Sequence, residues 1–149
     1  MLYHDGIISE ENKDLIDQIR MNLKIEDLPV TVFMLPYNSD VLTAQLVAHP
    51  DGGYFILISS NVNEKLTQDE RKALIAHEMG HIAYTSKIHL YDLDRTGLDI
   101  CADIFASKYA GIDAVLSLLE KLYTLDQDDR EVPDYKIRKA ALEAIKKIW

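Results

Sequence analysis

Two histidines and a glutamate at fixed spacing in residues 77–81 limit what this chain can fold into more than any other feature. They form the pattern H-E-x-x-H, made of His77, Glu78 and His81. On an α-helix, side chains four residues apart lie one turn above each other, so both imidazoles can reach one metal ion. Glu78 lies to the side of that face, where it can reach a water at the metal without binding the metal itself. The spacing therefore predicts a zinc-binding helix with Glu78 as a general base, which is the chemistry of a metallopeptidase.

The residues around the motif predict the same helix. Thr67 and Glu70 fit a capping box, in which Thr67 caps the helix and Glu70 reaches back to it. Asp69 and Glu70 place negative charge in the first turn, where the helix dipole favours it. We expect the helix to end near residues 85–86. Because glycine costs a helix on the order of 1 kcal/mol relative to alanine, Gly80 indicates the close approach of another backbone or of a substrate.

A second acidic pair, Asp99 and Asp103, lies downstream of the motif. One helical turn separates the two, so they share a face of an otherwise apolar helix, where two carboxylates are costly unless a positive group meets them. Catalytic zinc takes three protein ligands and leaves one position for water. We therefore predict that Asp99 is the third zinc ligand. Asp103 is predicted to accept a hydrogen bond from the free ring nitrogen of His77 or His81, which would fix its tautomer.

Together the two motifs resemble the gluzincin metallopeptidases, in which H-E-x-x-H is followed by a second helix carrying E-x-x-x-D. The resemblance implies that Asp99 stands at the position of the zinc-binding Glu and that Asp103 orients a ligating histidine. Residues 102–106 are similar to the version of this helix in minigluzincin and CAAX-prenyl-protease-like peptidases, and in small ImmA/IrrE-type domains of phages and mobile elements. Residues 54–59 resemble the strand that edges the cleft and pairs with substrate in such enzymes. The resemblance is good over residues 54–110.

The chain departs from these families at two positions. Asp99 replaces a glutamate, and because aspartate is one methylene shorter, its helix must lie closer to the zinc or a water must bridge. Val132, before Pro133, stands where the family's C-terminal helix begins after a His-Pro pair. We assign no residue to stabilise the transition state. Tyr109 and Tyr135 are candidates, although a half-buried tyrosine with its hydroxyl in water is the commoner case.

Several other residues are weighed as ligands or binding groups. Asp92, Asp94 and His89 fall in a polar segment, where we expect solvated side chains. His4 is expected on the surface, with a covering role over the zinc as the less favoured alternative. Five basic residues near the C-terminus are expected to form a solvated helix face rather than a phosphate site: Lys136, Arg138, Lys139, Lys146 and Lys147.

Composition narrows the class of protein. A chain of 149 residues, 48% hydrophobic and 28% charged, is expected to form one soluble domain over residues 1–149. The net charge of −9 disfavours nucleic acid as a partner. No apolar run approaches membrane-spanning length, and the N-terminus lacks the features of a signal peptide. The single Cys101, expected to be a small buried residue, excludes an internal disulfide. We therefore expect a cytoplasmic protein without a membrane anchor.

Periodicity and turn residues predict an α+β fold of the zincin-like type. A helix is expected over residues 9–23 with Ser9 as its N-cap, and strands over residues 30–35, 41–48 and 54–59. The zinc helix follows, and then helices over residues 93–110, 113–123 and 133–148. The prediction is a small twisted three-stranded sheet packed against the zinc helix and followed by a helical C-terminal half.

The favoured hypothesis is a zinc metalloendopeptidase with one Zn²⁺ per chain on His77, His81 and Asp99. Glu78 would take a proton from water for attack on a peptide carbonyl in a protein or peptide substrate. A zinc-stabilised regulatory or protein-binding module, which holds a partner protein without cleaving it, is the alternative from another class. A closed site with four protein ligands would favour that module. A domain without metal is the third hypothesis.

Overall fold

The chain is described by a computed structural model over residues 7–36, 44–85, 94–125 and 132–149. The described residues contain four strands and six helices, which confirms the α+β prediction. They divide into two compact units, Met1–Leu66 and Thr67–Trp149. No helix in the described parts of the chain is both long and apolar enough to cross a membrane.

The first unit is built on a four-stranded sheet of order β1-β2-β4-β3. Its strands are β1 (Ile7–Ser9), β2 (Val30–Leu35), β3 (Ala44–Ala48) and β4 (Tyr54–Ser59). β1 runs antiparallel to β2, β2 parallel to β4, and β3 antiparallel to β4. The helix α1 (Lys13–Asn22) follows β1, and the short α2 (Ser60–Asn63) follows β4.

The predicted count of three strands is wrong because the chain is extended where we expected a helix to begin. Ser9 ends β1, and α1 begins only at Lys13. The Ser9 hydroxyl accepts a hydrogen bond from the Glu11 backbone N–H at 3.2 Å, in the turn after the strand rather than at a helix cap. A strand of three residues is too short to show the alternation of polar and apolar side chains that marks a strand in a sequence.

The strand β4 lies inside the sheet, which corrects the expectation that it edges a substrate cleft. Its backbone pairs with β2 on one side and with β3 on the other, so no substrate strand can be added to it. Ile56, Leu57 and Ile58 are all buried, and a continuous apolar run of this kind is typical of a strand covered on both faces. In the part of the chain that is described, the sheet edges are β1 and β3.

The second unit is helical and carries the H-E-x-x-H motif. Its helices are α3 (Gln68–Thr85), α4 (Arg95–Ala110), α5 (Ile112–Leu125) and α6 (Val132–Lys146). The capping box at the start of α3 is confirmed. The Thr67 backbone N–H donates to the Glu70 carboxylate at 2.8 Å, and the Glu70 N–H donates to the Thr67 hydroxyl at 3.2 Å. Both groups would otherwise lack an intrahelical partner, so the pair fixes where the helix begins.

Glu70 also ties the first turn of α3 to α5. Its side chain is buried, with only 2% of the residue exposed. It accepts a hydrogen bond from the Ser117 hydroxyl at 2.6 Å and pairs with the Lys121 ammonium at 3.1 Å. Burial alone would raise the pKa of Glu70, but the hydrogen bonds from Ser117, the Thr67 N–H and Lys121 outweigh it and lower that pKa. The carboxylate is therefore more acidic in the folded state than an exposed glutamate.

The glycine in the motif marks a close contact between α3 and α4. A Cβ placed on Gly80 would lie 3.0 Å from the Cα of Ala102 and 3.2 Å from its Cβ and carbonyl oxygen. These atoms belong to the backbone and first carbon of α4, and neither helix can yield by turning a flexible side chain. The prediction that Gly80 indicates the approach of another backbone is confirmed, and this approach is what places α4 beside the histidines.

We predict that Gly80→Ala destabilises the protein although alanine favours helices. The gain in helix propensity is about 1 kcal/mol, whereas forcing a methyl group into a filled interface costs typically 1–3 kcal/mol. The free energy of unfolding, measured by urea titration of metal-free protein, should therefore fall. A rise of about 1 kcal/mol, as propensity alone requires, would mean that α3 and α4 leave room for a methyl group at position 80.

We predict that Glu70→Gln reduces stability most at neutral pH. Because the pKa of Glu70 is lowered on folding, the unfolded state binds its proton more readily, and the stabilisation is complete only above the unfolded pKa of about 4.3. It is lost as the pH falls through the lower folded pKa. The difference in unfolding free energy between wild type and Glu70→Gln should therefore shrink on acidification. Asp69→Asn, at an exposed neighbour in the same turn, should keep the pH dependence of the wild type. A difference that stays constant with pH would contradict the assignment.

Candidate metal centre

The helix α3 presents two imidazoles side by side with their Nε2 atoms facing each other. The Nε2 atoms of His77 and His81 lie 3.2 Å apart, and the rings stand nearly perpendicular at 86°. His77 is buried, whereas the side chain of His81 is 25% exposed. Their spacing of four residues on one helix gives this arrangement directly.

Asp99 brings a carboxylate oxygen from α4 to the same point. Its Oδ1 atom lies 3.2 Å from His81 Nε2 and 3.5 Å from His77 Nε2. Ligands around tetrahedral zinc, with bonds of about 2.0–2.1 Å, are separated by about 3.3–3.4 Å. The three edges of the triangle in the structure, 3.2, 3.2 and 3.5 Å, match that separation closely. Two imidazole nitrogens and a carboxylate oxygen are also a donor set that zinc accepts, so these residues fit the ion.

Asp103 occupies the other side of the His77 ring. The Nδ1–H of His77 donates to Asp103 Oδ1 at 2.8 Å, and Asp103 is 1% exposed. With the proton held on Nδ1, the lone pair of Nε2 is the one available to a metal. Burial opposes a charge on His77, but Asp103 and Asp99 outweigh it and raise the pKa of His77 to about 9, so a metal ion that binds Nε2 must displace a proton from it.

Asp99 itself remains ionised in this environment. Burial works to raise the pKa of Asp99, but hydrogen bonds with His77 and His81 and the nearby charge of Arg138 hold it far below its ordinary value. An ionised carboxylate is the form that binds a metal cation. The electrostatics of the site therefore suit the ligand role predicted for Asp99.

Arg138, on α6, is the residue that sequence reasoning missed. We expected it on a solvated helix face, but its side chain is only 14% exposed. Its Nε donates to Asp103 Oδ2 and its Nη2 to Asp103 Oδ1, each at 2.8 Å. Leu142, one turn further along α6, is fully buried, so both side chains lie on the inward face of this helix.

A signal for Arg138 was present in the sequence. Two buried carboxylates each need a positive partner, and a single zinc ion with its histidines would neutralise Asp99 but leave Asp103 in need of another cation. Asp103 accepts three hydrogen bonds, one from His77 and two from Arg138. A basic residue four positions before a core leucine was therefore a better candidate for burial than its charged neighbours in α6.

Glu78 is buried next to this cluster, with 8% of the residue exposed. Burial raises the pKa of Glu78 and the negative charge of Asp99 adds to the effect, while the charges of His77, His81 and Arg138 oppose it. A carboxyl group whose pKa is raised toward neutrality exchanges protons more readily near the pH at which enzymes work. Its environment is therefore that of a proton acceptor rather than of a solvated surface group.

The other residues that were candidates for ligands or binding groups make other contacts or lie outside the described residues. Asp94 caps α4, accepting a hydrogen bond from the Gly97 N–H at 2.7 Å. Asp92, His89 and His4 lie outside the described residues. Two tyrosine rings pack on other aromatic rings: Tyr109 on Phe105, and Tyr135 stacked on Tyr123 at 4.2 Å. Cys101, expected to be fully buried, is only partly buried, and this burial raises the pKa of its thiol.

Comparison with known proteins gives one result at the level of a family. No curated protein and no solved structure matches the chain. A family model, Peptidase family M48, matches residues 9–107, which is more than half of the chain and includes the H-E-x-x-H motif and the acidic pair of α4. The narrower types to which the motifs were compared remain predictions. The chain belongs to Peptidase family M48, and the predicted resemblance to zinc metallopeptidases of the gluzincin type is confirmed at that level.

Proposed function

We propose that the chain is a zinc metalloendopeptidase that cuts protein or peptide substrates with one zinc ion held by His77, His81 and Asp99. The observation that carries the proposal is the triangle of ligand atoms, with edges of 3.2–3.5 Å, beside a buried glutamate. The match to Peptidase family M48 supports zinc-dependent proteolysis in general. The zincin-like architecture is part of the same proposal.

Each residue of the site has a distinct part in this proposal. A zinc ion bound there supplies Lewis-acid chemistry, which lowers the pKa of a water toward neutrality and polarises a carbonyl group. Glu78 takes a proton from the attacking water while the oxygen of that water forms a bond to the peptide carbonyl carbon. Glu78 then delivers this proton to the amide nitrogen as the carbon–nitrogen bond breaks. The products are a carboxylic acid and an amine, and Glu78 returns to its starting state.

The surrounding residues hold the ligands in place. Asp103 fixes the ring of His77 through Nδ1, and Arg138 neutralises and fixes Asp103 with two hydrogen bonds. Partners of this kind orient metal ligands and raise their basicity, and losing one typically weakens metal binding or activity 10- to 100-fold. These contacts support the assignment of Asp103 and Arg138 as positioning residues.

The number of ligand groups favours catalysis over a purely structural metal site. Among the described residues, the group able to hold a metal has three members, His77, His81 and Asp99. Catalytic zinc characteristically uses three protein ligands, whereas structural zinc uses four. The alternative, a zinc-stabilised regulatory module, gives the buried Glu78 no function. The Glu78→Gln variant therefore distinguishes the peptidase from the module.

We predict about one zinc per chain in purified protein. Loss of an imidazole should remove the ion from His77→Ala, and loss of charge should weaken its binding in Asp99→Asn. Metal content, measured by mass spectrometry of the element after dialysis, is the readout. His49→Ala is the matched control, because His49 lies in the turn after β3 and is not a member of the ligand group. Zinc absent from the wild type even after incubation with excess metal would overturn the proposed function.

We predict that Glu78→Gln retains zinc and loses peptide hydrolysis. The amide keeps the size of the side chain but cannot accept the proton from water, so turnover should fall by 10²-fold or more, roughly the contribution of general-base catalysis. Cleavage of a peptide library by zinc-loaded protein, read by mass spectrometry, measures the loss. Asp69→Asn, an exposed position on the same helix, should cleave like the wild type. A wild type that binds zinc but cleaves no peptide would favour the regulatory module.

A further inference from the structure

The helix α6 carries a second acidic residue, one turn before Arg138, that no step of the mechanism has used. Asp134 Oδ2 accepts a hydrogen bond from Arg138 Nη1 at 3.2 Å. We propose that Asp134 is a positioning residue for the metal centre, which holds Nη1 of Arg138 away from Asp99 and so leaves the Asp99 carboxylate to the two histidines. This inference rests on the proposed function, because it concerns the ligand role of Asp99.

The guanidinium group of Arg138 is divided among three carboxylates. Its Nε and Nη2 both donate hydrogen bonds to Asp103 at 2.8 Å, so Nη1 is the nitrogen left to interact with Asp134 or Asp99. Nη1 lies 3.2 Å from Asp134 Oδ2 and 4.0 Å from Asp99 Oδ2. The distance to Asp99 is too long for a hydrogen bond, whereas the distance to Asp134 is within range. Asp134 therefore holds the nitrogen that could otherwise pair with Asp99.

The competition matters because Asp99 faces the histidines with its other oxygen. Its Oδ1 lies 3.2 Å from His81 Nε2 and 3.5 Å from His77 Nε2. A charge-assisted bond from Arg138 to Oδ2 would draw electron density from the carboxylate and turn it toward α6. Both effects weaken a metal ligand, since the groups around a ligand set its basicity and orientation. By holding Nη1 of Arg138, Asp134 prevents both the loss of electron density from Asp99 and its rotation toward α6.

The environment of Asp134 indicates a role beyond stabilising the fold. Its side chain is only 18% exposed, and among the described residues its Oδ1 is buried without a hydrogen-bond partner. A buried oxygen of this kind costs folding free energy rather than adding to it. The electrostatic attraction between Asp134 and Arg138 is also weakly screened, because both side chains are largely shielded from water and salt. The residue adds a negative charge close to the site proposed for a divalent cation.

A simpler role for Asp134 makes a different prediction. It lies in the first turn of α6, where negative charge favours the helix dipole. That role affects the stability of the helix but not the affinity of the folded protein for a metal. Zinc affinity and stability of the metal-free protein therefore separate the two roles. Residues 9–107 match the family model, so α6 and this pair lie outside the matched region.

The test is the zinc dissociation constant of Asp134→Asn, measured by competition with a chromophoric chelator. The amide keeps the size of the side chain but loses its charge, and we expect zinc to bind about tenfold more weakly, at the lower end of the range for groups that orient ligands. The visible spectrum of the cobalt-substituted protein should shift, because Asp99 changes its position at the metal. Asp134→Glu, which retains the charge, should fall between Asp134→Asn and the wild type. Glu143→Gln is the matched control, since Glu143 is exposed on the same helix.

Each outcome distinguishes the inference from the function on which it rests. Zinc that binds Asp134→Asn as tightly as the wild type, with an unchanged cobalt spectrum, overturns the positioning role but leaves the metal centre in place. An equal loss of affinity in Glu143→Gln also overturns it, because the effect would then be one of overall charge. A failure of Asp134→Asn to fold would make Asp134 a structural residue and overturn it as well. Zinc that does not bind the wild type removes the proposed function itself.

Discussion

The close contact of α3 with α4 is the constraint on which the candidate metal centre depends. Gly80 has no Cβ, and the backbone of Ala102 occupies the space that a Cβ would need. At this spacing, one face of α3 delivers both imidazoles, and the facing side of α4 delivers Asp99 and Asp103. A larger residue at position 80 would separate the helices and lengthen the distances from Asp99 to both histidines and from Asp103 to His77. A glycine that weakens its own helix is therefore what allows the two helices to form one site.

Burial of charge is the second constraint, and the site satisfies it by balance. Asp99, Asp103 and Asp134 supply three negative charges, and Arg138 supplies one positive charge. A divalent cation at the histidines would bring the sum of these four groups to zero, and an ionised Glu78 beside them would leave one net negative charge. Buried ions are tolerated when they are paired and hydrogen-bonded, and Asp103, with three hydrogen bonds, meets that condition without the metal.

Local patterns in the sequence predicted the parts of the site that each lie on one helix. The spacing of His77 and His81, and that of Asp99 and Asp103, follows from helix geometry alone, as does the capping box at Thr67. The resemblance to gluzincins added the expectation that the two pairs meet. Arg138 was missed because its burial depends on how α6 packs. The two signals that favour it, the positive partner that Asp103 needs and the core Leu142 one turn further on, lie on different helices.

The errors in the sheet have the same origin. Strand β1 is too short to show periodicity, and its pairing with β2 is a contact between distant parts of the chain. The continuous apolar run of β4 indicates that both of its faces are covered, and it does not show which strands pair with its backbone. Pairing partners are a property of the whole sheet, and the pattern within one strand reports only whether its two faces are covered.

An aspartate in place of glutamate, at the position proposed for the third ligand, suits the same helix contact. An aspartate reaches one methylene less far, so its helix must lie closer to the zinc or a water must bridge. The contact at Gly80 and Ala102 leaves no room for the helices to approach further. In this position Asp99 Oδ1 already lies 3.2 and 3.5 Å from the two Nε2 atoms, as direct ligands of one ion require. The shorter side chain and the tight helix contact are therefore complementary, and the direct ligation proposed for Asp99 would need no bridging water.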